Sequence, residues 1–481
     1  MTDAALNGAL GIEGRSIDFV PESERHGRLA HQGQFWFLSN FHFFVIAIGF
    51  VGPSLGLSLG WTALAGFLGI LIGTTFQAFH ASQGPELGLP QMIQSRAQFG
   101  YRGVIVPLIA NMVSLVGYNV VATILISEGV HGMWGIDRRL AAVVVSVVTA
   151  AVAIWGHDQV HRMFRLMFWI SLPLFLVLSL AMATGHAGGA ARPSGGFNWP
   201  AFATQLASAA SFNLTGAPYV SDYTRYLPGR TRRGAVIASV FFGSGTSAVW
   251  LIALGAWLAT RMGASDGLVA LRLAGDGLLP GFGSVLAAAS IGGLMATIAM
   301  SGYSAMLTAM TSLDCVRPTL PSRRFKAAMV AGLAILWTTI ALLAGGEAVT
   351  WVNALLVVIL YGLAPWSAVN LIDYFLLRRG RYSLRDLFTP RGVYGAWGAR
   401  GLIAYGAGFA ASLPFFTAAN VYTAPLAARL GGVDIGWLVS LAVASVTYGL
   451  VSLRFDAAVE AAAVAQGSFL AGVKGGGEIR R

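Results

Sequence analysis

Long apolar stretches separated by short polar segments run from about residue 34 to residue 453. Each stretch is long enough to cross the hydrocarbon core of a bilayer as an α-helix, which takes about 20 residues. The pattern predicts an all-α polytopic membrane protein with twelve transmembrane helices. The predicted spans are 34–58, 61–80, 103–128, 139–156, 164–185, 199–221, 234–260, 281–312, 325–345, 348–376, 397–417 and 434–453.

Two of these stretches are interrupted by glycine and proline. The first contains Gly49, Gly52 and Pro53, and the sixth contains Gly216 and Pro218. A broken helix frees backbone groups that lipid cannot satisfy, so a break is tolerated only where protein or a cavity surrounds it. Matched breaks in two halves of a chain are typical of secondary transporters with an inverted repeat, which bind substrate at the breaks.

The two prolines also predict how the chain is organised. They lie 165 residues apart, an offset that places the first span over the sixth and the third over the eighth. Two five-helix repeats follow, with opposite topology because each holds an odd number of spans. The predicted parts are an N-terminal tail (1–33), a first repeat (34–185), a second, inverted repeat (199–376), two additional helices (397–453) and a C-terminal tail (454–481).

Composition and charge agree with a membrane location. Of 481 residues 56% are hydrophobic and 11% are charged, against about 25% charged in soluble domains. With a cytoplasmic N-terminus, 25 of the 31 Lys and Arg residues fall on the cytoplasmic side, as the positive-inside rule requires. We therefore expect a multi-pass protein of the plasma (inner) membrane with both termini in the cytoplasm. We attribute its net charge of +11 to basic residues at cytoplasmic helix ends, next to lipid headgroups. We expect neither a nucleic-acid partner nor an obligate protein partner.

Three polar segments carry a resemblance to a known family. They are GPELGLPQMIQSRAQFG at 84–100, DYTRY at 222–226 and PWSAVNLIDYF at 365–375. Together they resemble the nucleobase–cation symporter-1 family, which includes cytosine, purine, hydantoin and allantoin permeases. The resemblance extends from about Glu22 to about Tyr382. It implies a leucine-transporter-like fold, with two inverted five-helix repeats followed by two helices.

The resemblance also points to residues that bind substrate. A planar heteroaromatic ring needs aromatic faces to stack on and a few polar groups for its edge. Tyr118 matches a stacking tryptophan of the family, and Phe212 matches its second stacking aromatic residue. Ser211 and Asn213 flank Phe212 and can hydrogen-bond a ring edge. Without the resemblance, all four would equally fit packing contacts between helices.

Further substrate contacts are predicted on the first and eighth spans. Gly49 and Phe50 lie at the break of the first span, where small residues let a ligand approach the backbone. Relatives carry asparagines on the eighth span to bind the substrate edge. This chain offers only Thr297 and Ser301 there, a departure that leaves the identity of the substrate open.

The coupling ion is left open between H⁺ and Na⁺. Sodium requires hard oxygen ligands, which the carbonyls of Ala47 and Phe50 and the hydroxyl of Ser290 could supply. The paired hydroxyls of sodium-coupled relatives are absent beside Ser290. The candidate proton carriers are His42, His80, Glu128 and Asp222. His42 is the candidate proton-linked group in the first span, because an ionisable side chain inside a membrane span is often functional.

Three charged residues are predicted to hold an inner gate. Arg96, Asp222 and Arg225 lie at the cytoplasmic ends of spans, where ion pairing is their expected structural role. No organic cofactor and no metal site are expected. His157 and His161 lie four residues apart and can share a helix face, but the nearby arginines indicate the cytoplasmic end of a helix instead.

The predicted function is secondary active import of a nucleobase or related heterocycle, by H⁺- or Na⁺-coupled symport with alternating access. An amino-acid or vitamin symporter on the same fold is the alternative. A membrane-embedded enzyme is remote, because few ionisable residues lie inside the spans. A passive channel would not need matched helix breaks.

Overall fold

The computed structural model describes residues 13–186, 195–264, 266–318, 322–344, 348–418, 422–455, 458 and 460–465; the outer parts of both predicted tails lie outside these ranges. The α-helices are α1 (Leu29–Leu38), α2 (Phe43–Ile48), α3 (Val51–Ser54), α4 (Leu59–Ala81), α5 (Gln83–Leu87), α6 (Gln91–Gln94), α7 (Arg96–Phe99), α8 (Ile105–Trp134), α9 (Arg138–Trp155), α10 (His157–Ala183), α11 (Trp199–Leu214), α12 (Val220–Thr224), α13 (Arg233–Met262), α14 (Gly267–Asp276), α15 (Phe282–Val316), α16 (Arg323–Leu343), α17 (Ala348–Leu371), α18 (Ala399–Ser412), α19 (Pro425–Arg429) and α20 (Gly436–Val451). A π-helical turn, Ile372–Leu377, extends α17. Two-residue strands, Thr417–Ala418 and Tyr422–Thr423, pair antiparallel.

Helices occupy all of the predicted apolar stretches. Seven helices in the described part of the chain have the length and apolar character of a membrane span, and α1 with α2–α3 would form an eighth, bent span. The predicted total of twelve spans and the domain boundaries stay predictions.

Both predicted helix breaks are present, and the first span has a second, sharper break that the sequence did not predict. In the sixth span α11 ends at Leu214, and a 3₁₀ turn at Ala217–Tyr219 separates it from α12, as expected from its Gly and Pro. In the first span, α1 and α2 meet at a bend of 56° across residues 39–42. Helical structure is also interrupted at Gly49 and Phe50, between α2 and α3, although both residues keep helical backbone angles. The predicted break is therefore present as a shallow interruption, and the sequence did not predict the sharper bend about ten residues before it.

Glycines allow α2 and α13 to pack with their backbones in contact. A Cβ at Gly49 would lie 2.2 Å from the carbonyl oxygen of Ile252, and a Cβ at Gly255 would lie 2.0 Å from that of Ile46. Both distances are too short for any side chain. Gly49 therefore lies against a helix backbone, whereas the sequence suggested that it makes room for a ligand.

This contact predicts the effect of a single methyl group. Gly255→Ala should destabilise the protein by about 1–3 kcal/mol, because the backbone of α2 has to move away. Gly245→Ala on the same helix is the matched control, since the nearest atom to its Cβ is 3.8 Å away. Removing a helical glycine there should be neutral or slightly stabilising. Unfolding temperatures of the detergent-solubilised variants measure the difference, and equal temperatures would contradict the close packing.

Residues 13–28, here called the N-terminal segment, pack against one end of the helix bundle. We call this end the N-terminal face. Ile17 and Val20 are buried, and the backbone N–H of Val20 donates to the carbonyl of Gly88 at 2.9 Å. Arg15 hydrogen-bonds Glu24 at 2.8 Å, which lowers the pKa of the Glu24 carboxyl. The N-terminal segment is therefore folded and covers the N-terminal face of the bundle.

Candidate functional site

The break in the first span is held open by side chains from other helices. The N–H of Phe43, freed by the break, donates to the hydroxyl of Ser290 on α15 at 2.7 Å. The amide of Asn40 donates to the carbonyl and hydroxyl oxygens of Ser244 on α13, at 3.0 and 2.8 Å. Polar partners of this kind are what an interrupted helix requires inside a membrane.

His42 is the last residue of this break and is fully buried. Its Nε2 lies 3.1 Å from the carbonyl oxygen of Ser39. Its Nδ1 has no hydrogen-bond partner among the described residues. The histidine predicted to be proton-linked thus lies at the break itself, and one of its ring nitrogens is unpaired.

Three aromatic rings from three spans meet next to this break. The ring centroid of Phe44 lies 5.5 Å from that of Tyr118 on α8 and 6.0 Å from that of Phe212 on α11. These distances fall in the range of aromatic pairing. Both predicted stacking residues therefore belong to one cluster. Phe44 is its unpredicted third member. Only the bend at residues 39–42, which the sequence did not predict, would have identified it.

Helix α8, which carries Tyr118, has buried polar side-chain atoms that lack partners in the described part of the chain. The Tyr118 hydroxyl, the Asn119 Oδ1 and the Thr123 hydroxyl have no hydrogen-bond partner among the described residues. A buried polar group left unpaired costs about 1–3 kcal/mol. A bound molecule with polar edges would supply the missing partners.

The residues that flank Phe212 differ in how they are engaged. Asn213 is buried, and its amide group accepts from Asn40 at 2.8 Å and donates to Thr74 at 2.6 Å. Ser211 is partly exposed. Asn213 thus joins α11 to the break at residues 39–42 and to α4, and Ser211 is the more accessible of the two for a ligand.

The predicted site residues of the eighth span hydrogen-bond to the protein itself, and Ala47 of the first span is exposed. Thr297 and Ser301 are buried, and they donate to the carbonyls of Gly293 at 3.1 Å and Leu115 at 3.2 Å. Ala47 is exposed in the middle of the first span, and its carbonyl accepts the N–H of Phe50 at 3.1 Å.

The predicted cation ligands already have protein partners. Ser290 accepts from Phe43, and the Phe50 carbonyl accepts from the N–H of Ser54 at 3.0 Å. Each of these oxygens has a second lone pair, so a cation ligand role stays a prediction.

A buried network around Glu13 closes the N-terminal face. The Glu13 carboxylate accepts hydrogen bonds from the hydroxyls of Tyr226 and Tyr303, the latter at 2.9 Å. Arg225 lies 3.4 Å from it, and the backbone N–H of His157 donates to it at 3.1 Å. One carboxylate thus connects the segment after α12 with α10 and α15. Glu13 was missed by sequence reasoning, because it lies in a polar tail typical of a solvated segment.

The predicted gate residues have different partners. Arg225 is fully buried and donates to Tyr303 at 2.9 Å and to the carbonyl of Ser16. Asp222 accepts the N–H of Gln91 at 3.1 Å. Arg96 forms an ion pair of 3.0 Å with Asp314, in which both side chains are 1% exposed. All three lie at the N-terminal face, where the gate was expected.

Sequence comparison finds one protein family over most of the chain. The family is described as "Permease for cytosine/purines, uracil, thiamine, allantoin", and its profile matches residues 19–440. The putative purine-cytosine permease YxlA of Bacillus subtilis (strain 168) is 32% identical over 440 residues, covering 91% of this chain and 95% of that protein. The purine-cytosine permease fcyB of Emericella nidulans is 25% identical over 475 residues, covering 92% of this chain and 89% of that protein.

Structural comparison identifies the fold. Mhp1, a nucleobase-cation-symport-1 family transporter in a closed conformation with bromovinylhydantoin bound, superposes with a TM-score of 0.71. The match covers 95% of this chain and 99% of that chain at 17% identity. The predicted all-α, leucine-transporter-like fold is thereby confirmed.

Proposed function

Because the chain belongs to the family of permeases for cytosine/purines, uracil, thiamine and allantoin, we propose that it imports a nucleobase or a related planar heterocycle. Family membership makes the protein a multi-pass membrane transporter and not an enzyme. The substrate, the coupling ion and the direction of transport are the parts that we propose.

The observation that carries the proposal is the aromatic cluster beside unpaired polar atoms. Phe44, Tyr118 and Phe212 offer ring faces at a helix break, and Tyr118 and Asn119 offer an unpaired hydroxyl and amide oxygen. A flat ring with donors and acceptors on its edge satisfies both. A substrate without a ring would leave the aromatic faces unused, and one without polar edges would leave the polar atoms unpaired.

Transport would proceed by alternating access around this site. In the present conformation the Glu13 network closes the N-terminal face, while Ala47 and Ser211 on the other side of the break are accessible. Symport requires that substrate and ion bind with different affinity to the two states. The distribution of Lys and Arg supports a cytoplasmic N-terminal face, so the accessible side would be the external one.

H⁺ and Na⁺ both remain candidates for the coupling ion. The buried imidazole of His42, with an unpaired Nδ1 at the break, supports a proton. The oxygens of Ala47, Phe50 and Ser290 support sodium, although each already accepts a backbone hydrogen bond. The two ions are distinguished below by the gradient that drives uptake.

A vitamin or amino-acid symporter is the second candidate. The family description includes thiamine, which is not a nucleobase. The eighth span also supports this candidate, because Thr297 and Ser301 both donate to backbone carbonyls of the protein. The substrate edge would then be bound chiefly by α8.

Uptake into proteoliposomes tests the proposal. Purified protein is reconstituted and offered a panel of labelled nucleobases, hydantoin, allantoin, thiamine and amino acids, under an imposed pH or Na⁺ gradient. We expect concentrative uptake of a planar heterocycle under one of the two gradients. Uptake of amino acids alone, or equilibration without concentration, would contradict the proposal.

Variants of the aromatic cluster link that uptake to the site. Tyr118→Ala and Phe212→Ala should each lower uptake about 5- to 150-fold, since stacking on one ring contributes about 1–3 kcal/mol. Phe242→Ala is the matched control, because Phe242 is 67% exposed on the outer surface of the bundle. Tyr118→Phe keeps the ring and isolates the hydroxyl. Equal loss in Phe242→Ala would assign the effect to folding instead of to binding.

A further inference from the structure

The N-terminal segment brings His26 to the start of α10, where it meets His157 and Asp158. The Nε2 atom of His26 and the Nδ1 atom of His157 each lie 2.9 Å from the same oxygen, Oδ1 of Asp158. One ligand atom from each of the three residues fits within 4.8 Å of the others. Three side chains from two separate parts of the chain thus converge on one point at the N-terminal face.

The opposite nitrogen of each imidazole is engaged by a backbone carbonyl. Nδ1 of His26 lies 2.8 Å from the oxygen of Glu24, and Nε2 of His157 lies 3.3 Å from the oxygen of Tyr223. A carbonyl can only accept, so these two nitrogens carry the protons. In the neutral rings, the nitrogens that face Asp158 therefore carry lone pairs. A histidine whose other N–H is held by a carbonyl is the usual arrangement around a protein-bound metal ion.

Two imidazole lone pairs and a carboxylate oxygen repel one another unless a metal cation, or a proton on each ring nitrogen, lies between them. We propose that His26, His157 and Asp158 bind a divalent transition-metal ion of the Zn²⁺ type. A tetrahedral ion with bonds of about 2.0–2.1 Å places its ligands about 3.3 Å apart, so each nitrogen, now 2.9 Å from the Asp158 oxygen, would move slightly away from it to bind the ion. A donor set of two imidazoles and one carboxylate favours ions of this type over Ca²⁺ or Mg²⁺.

The surroundings leave room for a fourth ligand. A cavity of about 320 Å³ adjoins the three side chains, and Glu13, Arg15, Glu24 and Tyr226 contribute to its walls. His26 and Asp158 are more than half exposed, while His157 is 5% exposed. Water can therefore reach the ion and complete its coordination.

The local charge is compatible with a cation. The start of a helix disfavours positive charge, but the carboxylates of Asp158 and Glu13 both lie at the start of α10. Arg15 is already paired with Glu24, and Arg225 is paired with Glu13. His161 stacks on Phe35 with ring centroids 4.3 Å apart and is not one of the converging groups.

A metal ion here would clamp the N-terminal segment to α10. The ligands come from both sides of the contact, so the ion binds only while the segment covers the N-terminal face. A ligand specific to one state stabilises that state in proportion to its excess over Kd. If the proposed transport function holds, the ion should slow uptake by favouring the closed N-terminal face.

Metal titration of the purified full-length protein tests the site without any transport. The protein carries an affinity tag free of histidine and is titrated with Co²⁺, whose visible absorption reports nitrogen and oxygen coordination, and with Zn²⁺ in competition. We expect one equivalent to bind and Zn²⁺ to displace Co²⁺. His26→Gln and His157→Gln should each raise Kd at least tenfold.

His131→Gln is the matched control and should leave binding unchanged, because His131 contacts the carbonyl of Ile136 at the end of α8. Asp158→Asn keeps the shape of the carboxylate and should weaken binding as well. The proposal is overturned by the absence of a Co²⁺ band at one equivalent, or by a band that His26→Gln leaves intact. In that case two protonated imidazoles hold Asp158. Failure of uptake with metal binding intact would affect only the transport proposal.

Discussion

Replacement of Glu13 by alanine is expected to open the N-terminal face. The variant removes the carboxylate that accepts from Tyr226, Tyr303 and the N–H of His157 and that pairs with Arg225. Hydrogen bonds to a charged group contribute about 1.5–3 kcal/mol each. A loss of about 3 kcal/mol from the closed state alone shifts the ratio of closed to open by about 100-fold.

The shift is measured by the reactivity of a buried thiol. Cys315→Ser removes the single native cysteine, and Ser304→Cys places a thiol at a fully buried position beside Tyr223. In this background Glu13→Ala should accelerate labelling by a maleimide strongly. Glu13→Gln, which keeps the size of the side chain and loses its charge, should give an intermediate rate.

Glu128→Ala is the control for this experiment. Glu128 pairs with Arg138 at 2.8 Å on the surface, where both side chains are more than half exposed. Its removal should leave the labelling rate unchanged, because an exposed pair contributes little. An unchanged rate in Glu13→Ala and Glu13→Gln would show that the N-terminal segment does not hold this face closed.

The long helices were predictable because their signal lies in the residues that form them. The predicted spans 103–128 and 281–312 correspond to α8 and α15. Apolar length alone determines where a chain can cross lipid. Both helices continue past the predicted C-terminal limits, to Trp134 and Val316, since helical structure continues beyond the hydrocarbon core, where composition no longer marks it.

The two breaks show where local reasoning fails. The break near Gly216 and Pro218 is encoded locally, because both residue types disfavour helix continuation. The break at residues 39–42 contains neither and depends on partners such as Ser244 and Ser290 from distant helices. Pro53, which suggested a break, lies in the first turn of α3, where proline removes no helical hydrogen bond.

Like the helix breaks, the candidate site could be predicted only in part from the sequence. Tyr118 and Phe212 were identified from the family resemblance, and the structure brings both to Phe44. Phe44 and Glu13 were not identified, because their roles arise from tertiary contacts that no local pattern encodes. The metal-site proposal has the same origin: His26 and His157 are 131 residues apart, and only the folded N-terminal segment brings them together.

Replacement of Asp314 by alanine is expected to cost about 3–5 kcal/mol of stability. Asp314 and Arg96 are both 1% exposed and form an ion pair of 3.0 Å. The guanidinium also donates to the carbonyl of Leu387 at 3.0 Å and lies 4.2 Å from the ring centroid of Tyr101. Without Asp314, the positive charge of Arg96 stays buried between a carbonyl and an aromatic ring, and neither of them neutralises it.

Unfolding of the reconstituted or micellar protein, followed by intrinsic fluorescence against increasing SDS, measures the loss. Glu128→Ala removes the acidic partner of an exposed arginine in the same way and should cost about 1 kcal/mol or less. The double variant Arg96→Met with Asp314→Leu should recover much of the loss, because apolar side chains of similar volume often replace a buried pair without cost. A stability for Asp314→Ala within about 1 kcal/mol of the parent would mean that water reaches Arg96.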